Sequence, residues 1–316
     1  DLHSFPTRRS SDLIRTPLNA ILGMNEMIMR QAQGSMKKYA FNIKSAGETL
    51  LAIINDILDF SKIESGKMEI VPANYSLSSV LNDIYNMISY KAKQKGLEFN
   101  INVSPTIPDS LHGDEVRLRQ ILVNILNNAV KYTPKGSVTF TVQAGDSGIS
   151  DEALELEFIC QDTGLGIRDE DKKRLFSKFQ RLDMKRNRNI EGTGLGLAIT
   201  TSLVQMMKGS IAVESTYGEG SCFSFSVRQT VSDWEEIGTY QISGEVSEAR
   251  KRGKTHTSFI APTARVLIVD DAPMNLTVIA GLLKRTQIQV ETASGGKEAI
   301  LKFGAYDYDL VFLDHR

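Results

Sequence analysis

Two asparagines on one predicted helix have the residue type and the spacing of a metal–phosphate site. Asn124 and Asn128 are four positions apart, which places both amides on the same helical face, and Lys131 follows three positions later. Amide oxygens suit a magnesium ion that keeps several waters and bridges phosphates. In isolation, such a pair is more often engaged in caps or core hydrogen bonds. The assignment therefore depends on the stretches around it.

Two glycine-containing stretches supply that context. Asp162-Thr163-Gly164-Leu165-Gly166 follows a predicted strand, and Gly192-Thr193-Gly194-Leu195-Gly196 opens a predicted helix. Glycines let backbone N–H groups approach phosphate oxygens, and a helix N-terminus adds its positive dipole end. The second stretch is not a dinucleotide fingerprint, because its third glycine is misplaced and a charged loop precedes it instead of a strand. Arg252-Gly253-Lys254-Thr255 is not a Walker motif, since Glu248 holds the place of its first glycine.

Three carboxylates near the C-terminal end form a second candidate site. Asp270 and Asp271 follow an apolar stretch that is typical of a buried strand, and Asp314 follows another. Parallel neighbouring strands would bring all three to one edge of a sheet. Clustered carboxylates repel one another unless a cation neutralises them, so the pattern implies Mg²⁺. The interval between the two strands leaves room for a helix, a strand and a second helix.

The elements that carry these residues begin with two predicted helices. The pattern is helical from Ile14, breaks near Gly34 and ends near Gly66. The second helix has apolar residues at alternating spacings of three and four, which is a coiled-coil seam. Because two helices cannot bury so narrow a stripe alone, we predict a homodimer with a four-helix bundle. The alternative is a helical hairpin packed on its own domain.

The middle of the chain alternates strands and helices, which predicts an α/β two-layer sandwich with helices on one face of a mixed sheet. Its predicted strands lie at 68–71, 97–103, 138–142, 154–160 and 223–227, and its predicted helices at 78–95, 115–132 and 197–207. A third module has predicted strands at 266–269 and 310–313 around a helix at 275–284.

The order of the motifs resembles a known family. The resemblance covers residues 14–229 and rests on Ile14-Arg15-Thr16-Pro17-Leu18-Asn19, the Asn124–Tyr132 stretch, the two glycine stretches, Phe176-x-x-Phe179 and Gly218-Glu219-Gly220-Ser221-Cys222-Phe223. Together they resemble the catalytic core of sensor histidine kinases, with dimerisation helices and a Bergerat-type ATP-binding domain. Residues 264–316 resemble a response-regulator receiver domain, a flavodoxin-like doubly wound α/β fold. The chain as a whole therefore resembles a hybrid sensor histidine kinase, a multidomain α+β protein.

The resemblance implies a role for each motif residue, with ATP and Mg²⁺ as cofactors. Asp162 would bond the adenine amino group, Asn128 would ligate Mg²⁺, and Asn124 would support it. Lys131 and Tyr132 would contact phosphate or the lid over it, which would span residues 180–191. In the receiver, Asp314 would be the phosphoacceptor and Asp270 and Asp271 metal ligands. The other nucleotide contacts would be Gly164, Gly166, Phe179, Arg181, Gly192, Thr193, Gly194, Leu195 and Gly196.

The sequence departs from the family at the phosphoacceptor. The family's box opens Ser-His-Glu, whereas here Asp12 holds the histidine position and Leu13 the glutamate position. His3 lies nine residues before Asp12 in unrelated sequence, so it is out of register. We therefore predict binding of ATP without autophosphorylation of this chain. The alternatives are a nonenzymatic dimeric pseudokinase that binds ATP, and an ATPase related to the gyrase, chaperone or mismatch-repair enzymes.

The expected domains are a junction or non-native segment (1–13), dimerisation and phosphoacceptor helices (14–66), an ATP-binding domain (68–229), a linker (230–263) and a truncated receiver (264–316), which is expected to be unstable. A net charge of −1 favours no nucleic-acid partner. The expected partners are a second copy and a downstream response regulator or phosphotransfer protein. The sequence lacks an apolar run of membrane-spanning length, so we expect a cytoplasmic chain without membrane contact, whose parent could be anchored in the inner membrane. We expect Cys160 and Cys222 to be reduced thiols.

Overall fold

The computed structural model describes residues 7–149, 153–172, 174–175, 194–240 and 259–314. The chain divides into two compact units. The first consists of Asp1–Asn55 and Val246–Arg316, and the second of Asp56–Glu245. None of the described helices is both long enough and apolar enough to cross a membrane.

The first unit begins with two long helices, α1 (Thr7–Gln31) and α2 (Gly34–Glu64), of which α2 continues into the second unit. The break between them lies at the predicted position. The predicted start at Ile14 is wrong, because α1 begins at Thr7 and Asp12 therefore lies within the helix. No glycine or proline interrupts residues 7–12, so nothing in this stretch ends a helix before Ile14.

The rest of the first unit is a small parallel α/β fold. Its elements are β8 (Arg265–Val269), α7 (Pro273–Leu283), β9 (Gln289–Ala293), α8 (Gly296–Ala305) and β10 (Leu310–Leu313). The strand order is β10-β8-β9, with Val269 opposite Leu313 on one side and Ala293 on the other. The central strand β8 is almost wholly buried, as its apolar run predicts. The predicted succession of helix, strand, helix and return strand is confirmed.

The second unit is a seven-stranded mixed sheet covered by helices, which confirms the two-layer sandwich. The strand order is β1-β3-β7-β5-β4-β2, with β6 also paired to β7, and only β2 and β4 are parallel neighbours. The elements are β1 (Ala73–Ser76), α3 (Leu77–Lys95), β2 (Glu98–Val103), β3 (Pro108–Gly113), α4 (Glu115–Tyr132), β4 (Ser137–Ile149), β5 (Ala153–Asp162), α5 (Asp169–Lys172), α6 (Gly196–Met206), β6 (Ser210–Thr216) and β7 (Gly220–Glu236).

The core of this unit lies between the helices and one face of the sheet. Phe158 on β5 stacks between Phe140 on β4 and Phe225 on β7, with ring centroids 6.3 Å and 4.8 Å away. Residues on either side of Phe158 alternate between buried and partly exposed, so β5 has one face in the core. This packing fixes the end of β5, where Asp162 lies.

Two predictions about this unit are wrong. Residues 68–71 form no strand, because the Val71 N–H group donates to the Asp114 carboxylate (2.8 Å) instead of to a neighbouring strand. The linker does not begin at residue 230, because β7 pairs with β3 as far as Glu236 and the Ile237 N–H group then donates to the Ile107 carbonyl (2.8 Å). Backbone hydrogen bonds keep this polar stretch in the sheet, although its composition is typical of a linker.

Candidate functional site

Asp162 ends β5 as a buried carboxylate. Its side chain accepts a hydrogen bond from the Gly164 N–H group (2.8 Å) and another from the Ser221 N–H group. Burial raises the pKa of the Asp162 carboxyl above its usual range, and these hydrogen bonds oppose the rise. An acceptor held in this way can distinguish ligands by a single directional hydrogen bond.

The loop after Asp162 is held against the C-terminal end of α4. The Leu165 N–H group donates to the Tyr132 carbonyl (3.2 Å), and the Thr163 N–H group donates to the Ser137 carbonyl (3.1 Å). Gly166 has a φ of +64°, and a Cβ atom there would collide with the Thr216 carbonyl, so only glycine fits. The loop conformation thus requires the glycine that the sequence offers.

The asparagine pair on α4 divides into two different environments. Asn124 donates from Nδ2 to the Thr200 hydroxyl on α6 (2.7 Å). Asn128, one turn further along, is half-buried, and no hydrogen bond engages its amide among the described residues. The spacing therefore places both amides on one face, as predicted, but Asn124 is tied to α6 through its Nδ2 atom, whereas the Asn128 amide makes no hydrogen bond within the described part of the chain.

The C-terminal turn of α4 carries positive charge. The Lys95 ammonium group donates to the carbonyls of Val130 (2.8 Å) and Lys131 (2.7 Å), where a cation complements the helix dipole. Desolvation lowers the pKa of Lys95. The Lys131 ammonium lies 5.1 Å from the centroid of the Tyr132 ring. Lys131 and Tyr132 are thus adjacent to each other and to the loop that follows Asp162.

A second cluster lies at the carboxyl edge of the parallel sheet in the first unit. Ligand oxygens of Asp270, Asp271 and Asp314 lie within 4.8 Å of one another. Asp270 is buried, and its two oxygens accept from the Ala272 N–H group (2.8 Å) and from Asn275 Nδ2 (2.9 Å). The parallel pairing of β8 with β10 brings the three carboxylates together, as predicted. Such a group of oxygen ligands fits Mg²⁺.

Comparison with known protein families matches three families in sequence order. The His Kinase A (phospho-acceptor) domain matches residues 11–66. The histidine kinase-, DNA gyrase B- and HSP90-like ATPase matches residues 113–231, and the response regulator receiver domain matches residues 266–316. The chain belongs to the hybrid sensor histidine kinases.

Among curated histidine kinases, the autoinducer 2 sensor kinase/phosphatase LuxQ of Vibrio vulnificus is 32% identical over 98% of this chain, which spans 35% of LuxQ. The sensory/regulatory protein RpfC of Xanthomonas campestris is 31% identical over 95% of this chain, which spans 43% of RpfC. The chain therefore spans less than half of these relatives. The crystal structure of full-length ShkA in complex with AMPPNP aligns with 93% of this chain and 56% of its own, with 26% identity and a TM-score of 0.59.

The kinase fold brings the predicted nucleotide residues together through α4. Its C-terminal end contacts the loop that carries Gly164 and Leu165, and Asn124 contacts α6, which begins at Gly196. Gly194, two residues before α6, has a φ of +73°. Asp12 lies in α1, but its side chain is outside the described part of the structure. Phe179, Arg181, Gly192, Thr193 and the predicted lid also lie outside the described residues.

Sequence reasoning assigned no role to three residues that support the two candidate sites. Ser221 holds Asp162, Thr200 holds Asn124, and Asn275 holds Asp270. Ser221 and Asn275 had a usable signal, because Ser221 lies within a glycine-containing family motif and Asn275 lies in the first turn of the helix that follows the acidic doublet. Thr200 had none, since a small hydroxyl residue inside a helix is common.

Proposed function

We propose that the second unit binds ATP as the nucleotide site of a hybrid histidine kinase, with adenine at Asp162 and the phosphates near the start of α6. The observation that carries this proposal is the position of α4, which contacts both the loop after Asp162 and the first turns of α6. A buried acceptor suits the adenine amino group, and a helix N-terminus suits phosphate. Because ATP is the substrate, the proposal assigns the chain to the cytoplasm.

Mg²⁺ fits this site through Asn128. The amide is half-buried and makes no protein hydrogen bond among the described residues, so its oxygen is available as a ligand. Magnesium commonly takes one or two protein oxygens and completes its shell with water and phosphate. When bound, Mg²⁺ neutralises phosphate charge, while Lys131 adds a second positive group at the end of the same helix.

In the longer parent, the proposed activity is transfer of phosphate from ATP to a histidine and then to an aspartate. Position 12 is the histidine's place in this activity, and Asp314 is the proposed aspartate acceptor, with Asp270 and Asp271 holding Mg²⁺. The proposed partners are a second copy of the chain and a downstream response regulator or phosphotransfer protein.

The chain as it stands should bind ATP without labelling itself at position 12. A carboxylate there is anionic beside a polyanionic donor, and it lacks the imidazole nitrogen that attacks phosphorus in this family. Leu13 also replaces the glutamate that helps to remove the proton. The remaining features of the nucleotide site do not compensate for a missing nucleophile.

The test is to replace Asp12→His together with Leu13→Glu and to incubate the chain with radiolabelled ATP and Mg²⁺. The double variant should acquire an acid-labile, alkali-stable label, as a phosphohistidine does. The unchanged chain and a matched Asp12→Asn, Leu13→Gln variant should acquire none. Acid-labile, alkali-stable labelling of the unchanged chain would refute the proposed defect. A silent His–Glu variant that still binds ATP would favour an ATP-binding protein without phosphotransfer.

A further inference from the structure

A buried hydroxyl connects the two helices on either side of the proposed phosphate site. Thr200 lies in the second turn of α6, is only 1% exposed and accepts the hydrogen bond from Asn124 Nδ2 (2.7 Å). The family motifs end before Thr200, and the proposed ATP contacts do not include it. Breaking this hydrogen bond would leave a buried polar group without its partner, which is costly.

The other atom of the same amide lies against the start of α6. A Cβ atom on Gly196 would lie 2.5 Å from Asn124 Oδ1, so the helix approaches the amide as closely as glycine permits. Both polar atoms of Asn124 therefore face α6, Nδ2 at Thr200 and Oδ1 at Gly196. Asn124 thus differs from Asn128, whose amide is not engaged by α6.

We propose that Asn124 and Thr200 are positioning residues that hold the first turn of α6 at a fixed distance from Asn128. The inference rests on the proposed ATP site and assigns its phosphate end and its adenine end to different residues. The N–H groups at the start of α6 receive phosphate, and their placement relative to the metal ligand depends on the Asn124–Thr200 hydrogen bond. The adenine end depends on Asp162 and its own hydrogen bonds, which do not involve Thr200.

Because the phosphate and adenine ends depend on different residues, a change at Thr200 should lower the affinity only for ligands that carry phosphate. Thr200→Val removes the hydroxyl at nearly constant volume, so it should weaken binding of ATP–Mg²⁺ and of ADP–Mg²⁺ by about tenfold. Adenosine has no phosphate and should bind the variant as it binds the wild type. A general loss of packing would weaken all three ligands together. Thr200→Ser, which restores a hydroxyl, should recover most of the affinity for ATP.

The matched control is Thr201→Val on the same helix. Thr201 donates to the Leu197 carbonyl of its own helix (2.9 Å), so its removal should leave the affinity for ATP unchanged. Affinities for ATP and ADP are measured by calorimetry, and that for adenosine by ligand-observed NMR at millimolar concentration. If Thr200→Val fails to fold, Asn124→Ala provides the same comparison, because its side chain is only half-buried.

The outcomes separate this inference from the proposed function. Unchanged affinity of Thr200→Val for ATP, or an equal loss for adenosine, would overturn the positioning role while leaving the ATP site intact. A double variant with Asn124→Ala and Thr200→Val should bind ATP no worse than Asn124→Ala alone, because one hydrogen bond is lost only once. A fully additive double loss would contradict the inference. Failure of the wild type to bind ATP would overturn the proposed function and this inference with it.

Discussion

At the scale of single residues, Asp162 shows how a binding group is kept at a cost to stability. The carboxyl is buried beside the Cys160 thiol, and burial raises the pKa of that thiol as well. Cys222 faces the other side of the sheet. Burial raises the pKa of Asp162, and the hydrogen bonds from the Gly164 and Ser221 N–H groups only partly offset this rise. Burial in the folded protein therefore favours the neutral, protonated form of this carboxyl over the charged form.

This cost predicts that Asp162→Asn stabilises the protein without nucleotide. Because the folded pKa of Asp162 is raised, its contribution to the free energy of unfolding falls as pH rises through that pKa. The neutral amide avoids this loss, so the melting temperature of the variant should exceed that of the wild type at pH 8. The difference should shrink as pH is lowered through the raised pKa of Asp162, since the carboxyl is then increasingly protonated. An equal or lower melting temperature of the variant at pH 8 would contradict this account.

The acidic cluster near Asp314 depends in a similar way on a neighbour. Asn275 donates to Asp270 (2.9 Å), and this fixes the orientation of one carboxylate among three. Asn275→Ala should therefore weaken Mg²⁺ binding by several-fold, as measured by a magnesium titration followed by NMR. Thr277→Ala, on the same helix and exposed, is the matched control and should leave Mg²⁺ binding unchanged, because its hydroxyl donates to the Pro273 carbonyl (3.0 Å). Equal affinities of the Asn275→Ala variant and the wild type would show that Asp270 does not need this contact.

At the scale of elements, α4 is the helix on which the proposed nucleotide site depends, and one buried residue caps its N-terminus. Asp114 caps α4 by accepting from the Arg117 N–H group (3.0 Å), and it also accepts from the Val71 N–H group (2.8 Å). Asp114→Ala should lower the free energy of unfolding by about 1 to 2 kcal/mol, measured by urea denaturation.

The matched control is Asp83→Ala, which removes an exposed carboxylate paired with Arg119 (3.0 Å). Its effect should stay below about 0.5 kcal/mol, because exposed ion pairs contribute little. A loss for Asp114→Ala no larger than that of the control would contradict the assigned role of the cap.

Some of these elements could be predicted from sequence and others could not. The bounds of α4 match the prediction, because its apolar positions recur at helical spacing between the Asp114 cap and Pro134. Strands β3 and β6 were missed, because Pro108 and the many small polar residues of β6 carry no strong strand pattern. The end of β7 was interpreted as linker because Asp233, Glu235 and Glu236 are polar, yet this exposed stretch stays paired with β3 through its backbone.

The sequence singles out candidate site residues where residue type and spacing carry the signal, and their role in binding ATP stays a prediction. Asp162 and Gly166 are identified by type and spacing, and the structure gives each a matching environment. The different environments of Asn124 and Asn128 could not be predicted, because helical spacing specifies a shared face and not the partner of each amide. That partner, Thr200, comes from a helix distant in sequence.

At the scale of the whole molecule, α1 and α2 carry an apolar seam that the single chain leaves exposed. Ile21 and Ile28 on α1 and Ile43 and Leu50 on α2 are each nearly half exposed, although their spacing is that of a coiled-coil core. Burial of such a seam in a second copy would form the proposed four-helix bundle.

Leu50→Glu should therefore shift the chain from dimer to monomer, because it introduces a charge into the proposed seam. The mass measured by analytical ultracentrifugation should fall by about half. Tyr90→Glu is the matched control, since Tyr90 is also a large exposed side chain but lies on α3, and it should leave the mass unchanged. A dimer that survives Leu50→Glu, or a wild type that is a monomer, would rule out this interface.

Binding of ATP at Asp162 is the central claim for this protein, and calorimetry measures it directly. ATP with Mg²⁺ titrated into the wild-type chain should bind with one site per chain, and GTP should not bind, because guanine presents a carbonyl where adenine presents an amino donor. Asp162→Ala should lower the affinity for ATP by about 100-fold, since it removes the acceptor of the adenine hydrogen bond. No binding of ATP to the wild type, or equal affinities of the two proteins, would contradict the account.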